Sequence, residues 1–208
     1  TLFADRNTDL TVAGSFAISA GQTQVFNAAV IVLLAPLFSI MWTALARRGL
    51  EPSIPVKFAL ALMGVGGGFL FLVWGAQFAG PDFMVGLFWL AGLYVIHSIA
   101  ELMISPVGLS MITKLSIARI VGLMMGVWFL SISVAQYVAG VIAQGASVET
   151  VGGQVTNLRV SLETYLGVFT TIGEVSVAIG VVLLVFSFPL KYLMHGVINS
   201  ALCNFIVS

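Results

Sequence analysis

The stretch FMVGLFWLAGLYVIHSIAELMISPVGLSMIT, residues 83–113, carries one formal charge, Glu101, and its reading decides the fold. A helix needs about 20 mostly apolar residues to cross about 30 Å of hydrocarbon. This run meets that length with a carboxyl group near its middle. The same pattern recurs on both sides. Nothing charged lies between Asp9 and Arg47, between Lys57 and Asp82, or between Arg119 and Glu149, and the tract 164–190 is broken only by Glu174. These intervals predict five spanning helices, near 24–46, 57–79, 83–113, 119–144 and 164–193. No ten-residue alternation of apolar and polar positions is present, which argues against a transmembrane barrel. The expected class is an all-α membrane protein.

Composition agrees. Of 208 residues, 60% are hydrophobic and 8% charged, with a mean hydropathy of +1.12. Soluble domains carry about 25% charged residues. Eight Lys and Arg balance eight Asp and Glu, which excludes a basic nucleic-acid binder and an acidic tail. The single cysteine, Cys203, permits no internal disulfide and no cysteine-based metal site. The chain has no phosphate-binding GxxxxGK[ST] loop and no HExxH helix, and its only histidines are His97 and His195. Neither an enzyme nor a cofactor is expected.

Cations set the orientation. If five helices alternate, Arg47, Arg48, Lys57, Lys114, Arg119 and Lys191 share one side, against Arg6 and Arg159 on the other. The loops 47–56 and 114–118 and the C-terminus are thus expected in the cytoplasm. Segment 1–23, the turn Gly80-Pro81-Asp82 and the loop 145–163 are expected outside. Segment 1–23 is too polar to span and lacks the features of a signal peptide. An odd number of helices, an outside start at Thr1 and no export signal imply that something upstream is missing. The chain is read as a fragment: 1–23 as an outer segment, 24–197 as five helices, and INSALCNFIVS (198–208) as a cytoplasmic tail, either disordered or foreign to the protein.

An ionised group at the bilayer centre costs at least about 2.5–3.5 kcal/mol. At helical spacing from Tyr94 come His97, Ser98, Glu101, Ser105 and Gly108. One face of this helix is therefore polar, opposite Leu93, Ile96, Leu102 and Met103. Such a stripe fits a water-filled cavity better than lipid. A carboxyl there either stays protonated in the bundle or binds a cationic group and exchanges it for a proton. His97 is either a packing residue or a proton relay. Pro106 removes a helical hydrogen bond and predicts a kink, which is either simple curvature or, with Gly108, a bend on which the end 107–113 swings. Asn27 either bonds across helices or meets a ligand. Trp128 and Ser131 lie one turn apart. Gly122, Gly126, Ser133 and Gly140 form a small-residue face, and Gly64, Gly66, Gly67 and Gly68 another, both read as sites of close helix contact. Glu174 is either a second functional acid or, the preferred reading, an acid near the outer interface with access to water.

Specific strings extend this reading. GLYVIHSIAELMISPVGLSMITKLS (92–116) and RIVGLMMGVWFLSISVAQYVAGVIA (119–143) resemble helices ten and eleven of the proton-dependent oligopeptide transporters, within the major facilitator superfamily. QVFNAAVIVLLAPLFSIMWTALARRGLEPSIPVKFALAL (24–62) resembles helix eight, the loop after it and the start of helix nine. TLFADRNTDL (1–10) resembles the outer end of helix seven, and FPLKYLMHGV (188–197) the close of helix twelve. The resemblance implies a chain supplying helices eight to twelve, without the six-helix N-terminal bundle, its ExxER motif and the body of helix seven. It implies Glu101 as the carboxylate that meets the peptide amino terminus, and Asn27 as part of the same pocket, with Ala28 where the family often has proline. It further implies Trp128 as a pocket wall, Ser131 as a neighbouring site residue in an uncertain register, and the hairpin Lys114–Arg119 as a gate. The implied partners are di- and tripeptides, protons as the coupling ion, the bilayer of a bacterial inner membrane and the absent bundle. A family carrier of nitrate or another small metabolite, and a non-transporting membrane scaffold, are the alternatives.

Overall fold

Residues 2–12, 16–117, 119–145, 150–151, 154–155 and 157–206 are described by the computed structural model. A short helix α1 (Leu2–Asn7) precedes α2 (Gln24–Arg47), α3 (Ile54–Ala76), α4 (Leu87–Leu115), α5 (Val121–Gly145) and α6 (Leu158–Ile206). Each of these last five contains a window long and apolar enough to cross a bilayer. Three two-residue pairings join the loops: β1 (Thr8–Asp9) runs parallel to β4 (Val85–Gly86), while β2 (Thr11–Val12) pairs with β3 (Phe16–Ala17) and β5 (Thr150–Val151) with β6 (Gln154–Val155), both antiparallel.

Two helices begin earlier than the charges suggest. Helix α3 starts at Ile54, three positions before Lys57, because Ser53 is extended and Pro55 suits a first turn whose N–H groups have no partner. Helix α6 starts at Leu158 because Asn157 Oδ1 accepts from the backbone N–H of Arg159 at 3.1 Å and of Val160 at 3.3 Å. Arg159 and Glu163, ion-paired at 2.9 Å, therefore belong to the first turns of the helix. Charges bound the apolar window of a span, and the hydrogen-bonded helix runs past them. Helix α2 ends on Gly49, whose positive φ of 67° lets its N–H reach Ala46 O at 3.0 Å and the Leu50 N–H reach Leu45 O at 3.0 Å. Glycine takes that conformation without strain.

Helix α3 is central, packed along α6 and α4, while α2 lies on α4 and α5 meets α4 more sparsely. The backbones of α3 and α6 approach at Gly66 and Gly173: a Cβ on Gly66 would stand 2.6 Å from Gly173 O. Gly64 and Gly68 face Ala100 and His97 of α4 in the same way, whereas Gly67 has nothing within 4 Å. The α5 face differs from its expectation. Among the described residues, Gly122, Gly126 and Gly140 have no neighbour within 4 Å of a would-be Cβ, so that stripe makes no close contact. Neither α2 nor α5 buries any residue of its most apolar window.

The apolar core gathers where α1, the α3–α4 turn and the head of α6 meet, around Phe3, Leu72, Val85, Leu90, Leu93 and Tyr165. Asn7 is fully buried there. Its Nδ2 donates to Leu158 O at 3.0 Å and Phe83 O at 3.3 Å, and its Oδ1 accepts from Ser161 Oγ at 2.6 Å. One amide thus ties three segments, holding Phe83 in a left-handed conformation (φ 54°) that a bulky residue rarely adopts. At the opposite end Lys57 Nζ bonds Glu51 at 2.5 Å and lies 4.2 Å above the ring of Trp42.

Candidate ligand site along helix α4

Tyr94, His97, Ser98 and Glu101 sit on α4 within two turns, and the helix sends them in different directions. Ser98 is fully buried. Its Oγ–H is shared between Asn27 Oδ1 on α2 and the carbonyl of Tyr94, 2.7 Å away on its own helix. One turn earlier the Tyr94 hydroxyl meets Thr23 Oγ1 at 3.3 Å, and Thr23 in turn donates to Ala20 O at 2.6 Å. These two contacts clamp the first turn of α2 onto α4 and fix where Asn27 stands.

His97 turns the other way. Its Nε2 lies 3.1 Å from the Val65 carbonyl of α3, its ring meets Phe69 edge-on at 4.8 Å, and Gly68 leaves the space it occupies. The single polar face expected from the sequence therefore fans out between two neighbouring helices. The cause is the 3.6-residue turn, which sets adjacent positions about 100° apart. His97 has the contacts of a packing residue. Glu101 lies between the two directions and is exposed.

Gly108 follows Glu101 by seven residues, so the two share a face of α4 about 10 Å apart along the axis. The ring of Trp128 on α5 lies on Gly108: a Cβ there would stand 2.8 Å from Cη2 and 2.9 Å from Cζ2. Ser131 donates its hydroxyl to the Trp128 carbonyl at 2.7 Å within α5 and is itself exposed. The backbone of α4 is helical through Pro106, whose side chain lies outside the described residues, as do those of Ser105 and Lys114.

The structure thus lines up Asn27, Ser98, Glu101, Gly108, Trp128 and Ser131 across three helices, through contacts or shared helix faces. Ser98, Thr23 and Tyr94 were not singled out as a ligand-site set from the sequence. Their signal was polarity at helical spacing, without any indication of the partner helix. No cluster of three His, Cys, Asp or Glu side chains suited to a metal exists among the described residues. A separate apolar cleft between α5 and α6, lined by Phe3, Ala139, Ile142, Tyr165 and Phe169, lies away from Glu101. What the α4 line offers chemically is one carboxylate, one carboxamide and an indole wall in an apolar span: acceptors for a cation, donors for a carbonyl, and a surface for a side chain.

The model of the POT family matches residues 1–158. Dipeptide and tripeptide permease A of Edwardsiella piscicida is 35% identical over 182 residues, covering 88% of this chain and 36% of that protein. The permease of the same name from Escherichia coli (strain K12) is 35% identical over 182 residues, covering 88% and 35%. The chain therefore spans about a third of the length of these relatives. A crystal structure of peptide transporter POT in complex with sulfate superposes with a TM-score of 0.74 at 33% identity, over 89% of this chain and 34% of that one. Tetrameric PepTSo2 superposes with a TM-score of 0.72 at 30% identity, over 92% and 38%. The matched proteins are permeases and transporters rather than enzymes, and the five helices correspond to part of the major facilitator fold. With a family model covering most of its length and solved transporters sharing its shape, this multi-pass membrane chain belongs to the POT family.

Proposed function

We propose that the chain is the C-terminal part of a proton-coupled di- and tripeptide symporter working by alternating access. The observation that carries this is Glu101, an exposed carboxylate inside an apolar span, one turn from the Asn27–Ser98 pair. A charge there needs a compensating partner, and a peptide ammonium supplies it. With Asn27 Oδ1 engaged by Ser98, one lone pair remains for the ammonium, and Nδ2 keeps two N–H donors for the first peptide carbonyl. Trp128 walls the pocket, with Ser131 beside it. Peptides differ in side chains and share their ends, so recognition of the ends permits many substrates.

The peptide carboxylate would be held by cations on the six-helix N-terminal bundle of the full-length protein. In the inward-open state a proton carried in with the peptide passes to Glu101, neutralises the carboxylate and weakens its hold on the ammonium, so that peptide and proton leave on the same side. His97, bonded to α3, serves packing, and the proton step falls to Glu101. A bend at Pro106 and Gly108, which the missing Pro106 N–H favours, would let the end of α4 close the cavity. Six cations against two support a cytoplasmic α2–α3 loop and C-terminus, and the resemblance supports a bacterial inner membrane as the one spanned.

The test is uptake of radiolabelled dialanine into proteoliposomes under an inward proton gradient, by the full-length protein and its Glu101→Ala variant. Gradient-driven uptake that is lost in the variant is expected. No uptake by the correctly folded full-length protein would overturn the peptide reading.

A further inference from the structure

Glu101, Asn27 and Ser98 account for one end of the α4 face, and the other end, where the indole of Trp128 meets Gly108, has a role of its own. We propose that Gly108 is a specificity-determining residue: its missing side chain seats the Trp128 indole as the wall that limits how bulky a ligand side chain the pocket accepts. This rests on the peptide reading above.

The contact is specific. A Cβ at 108 would approach Trp128 Cη2 and Cζ2 to 2.8 and 2.9 Å, well inside the 3.5–4.0 Å (approximately) at which carbon atoms pack. Gly108 is buried, and Trp128 is half-buried. The glycines of α5 itself, Gly122, Gly126 and Gly140, have open space around them. At this point α5 therefore approaches α4 through the Trp128 ring resting on Gly108. The ring is rigid, so a methyl group at 108 must displace it by about 1 Å to restore an ordinary contact distance. Gly108 and Glu101 share one face of α4, so that displacement carries the indole off the helix on the side to which Glu101 also projects. Position 108, where the wall is seated, lies about 10 Å along the axis from position 101. The wall therefore acts on what lies beyond the ammonium, and crowding it discriminates between side chains while leaving the grip on the amino terminus in place.

The experiment uses the full-length transporter and measures competition for radiolabelled dialanine by unlabelled dialanine and by alanyl-phenylalanine. In Gly108→Ala the affinity for alanyl-phenylalanine relative to dialanine is expected to fall by about tenfold, the scale of a one-carbon steric change in a pocket. Adding Trp128→Phe, a smaller ring, should bring the ratio back. Trp128→Phe alone should shift it the opposite way, a readout that holds even if Gly108→Ala folds poorly. An unchanged ratio, an equal loss for both peptides, or a double variant that fails to recover would overturn the proposal. Failure of the wild type to bind any dipeptide would instead defeat the peptide reading. The seat itself is then read without ligand from the resonance of a 5-fluorotryptophan at 128: it should shift in Gly108→Ala and stay in Gly122→Ala, and the reverse would overturn it.

Discussion

Ser98 shares its single hydroxyl proton between its own helix and Asn27, and that contact sets the geometry of the candidate site. Replacing Ser98 by Ala frees Asn27 to turn, and dipeptide affinity should fall by about 0.5–1.5 kcal/mol, the net worth of one hydrogen bond. Competition binding checks this, and an unchanged affinity would separate the pair from ligand recognition. His97 makes the contrasting case. Its bond to the Val65 carbonyl predicts that His97→Gln, which keeps a donor, retains gradient-driven uptake, whereas His97→Ala lowers thermal stability by about 1–3 kcal/mol. Glu101 was legible in the sequence because one charge in an apolar run marks itself. The partition of its neighbours was not, because a helical period tells which residues share a stripe and is silent about which helix each one meets.

At the scale of elements, the α3–α6 crossing makes a sharp test. Gly66→Ala would drive a methyl to 2.6 Å from the Gly173 carbonyl, so it should cost about 1–3 kcal/mol. Gly67→Ala, with nothing within 4 Å, should be neutral or slightly stabilising. Unfolding midpoints of the two variants in detergent decide it, and equal midpoints would mean the backbones do not approach. The Asn7 node is the second test. Asn7→Ala removes the side-chain partner of the Phe83 carbonyl and of the Ser161 hydroxyl and one of two donors to the Leu158 carbonyl, at about 1–3 kcal/mol, visible as faster hydrogen exchange at the head of α6. Five spans could be read from the charges alone. Helix starts could not, because they were set by Asn157 and by the Ser53–Pro55 turn, outside the apolar windows. The glycine runs read alike in sequence, yet Gly66 is pressed against a neighbouring backbone and Gly122 is open. Contact depends on what stands opposite, which no single helix encodes.

At the scale of the whole molecule, α2 and α5 leave large apolar side chains uncovered, among them Val32 at 73% and Leu33 at 70% exposure. Faces of that kind call for lipid or further helices, in keeping with a chain that spans about a third of its relatives' length. The orientation inferred from the cations predicts that a cysteine at Gly49 labels only from the cytoplasmic side and one at Gly80 only from outside, in a background where Cys203 is replaced by Ser. The reverse labelling would invert the topology. The central claim is that Glu101 recognises a peptide by its amino group. It is tested most directly by the affinities of dialanine and N-acetyl-dialanine for the full-length transporter and for Glu101→Gln. The account predicts that the wild type favours the free amine by about tenfold or more, as for a buried charge pair, and that the variant loses this preference. Equal affinities in the wild type, or a preference that survives in Glu101→Gln, would contradict it.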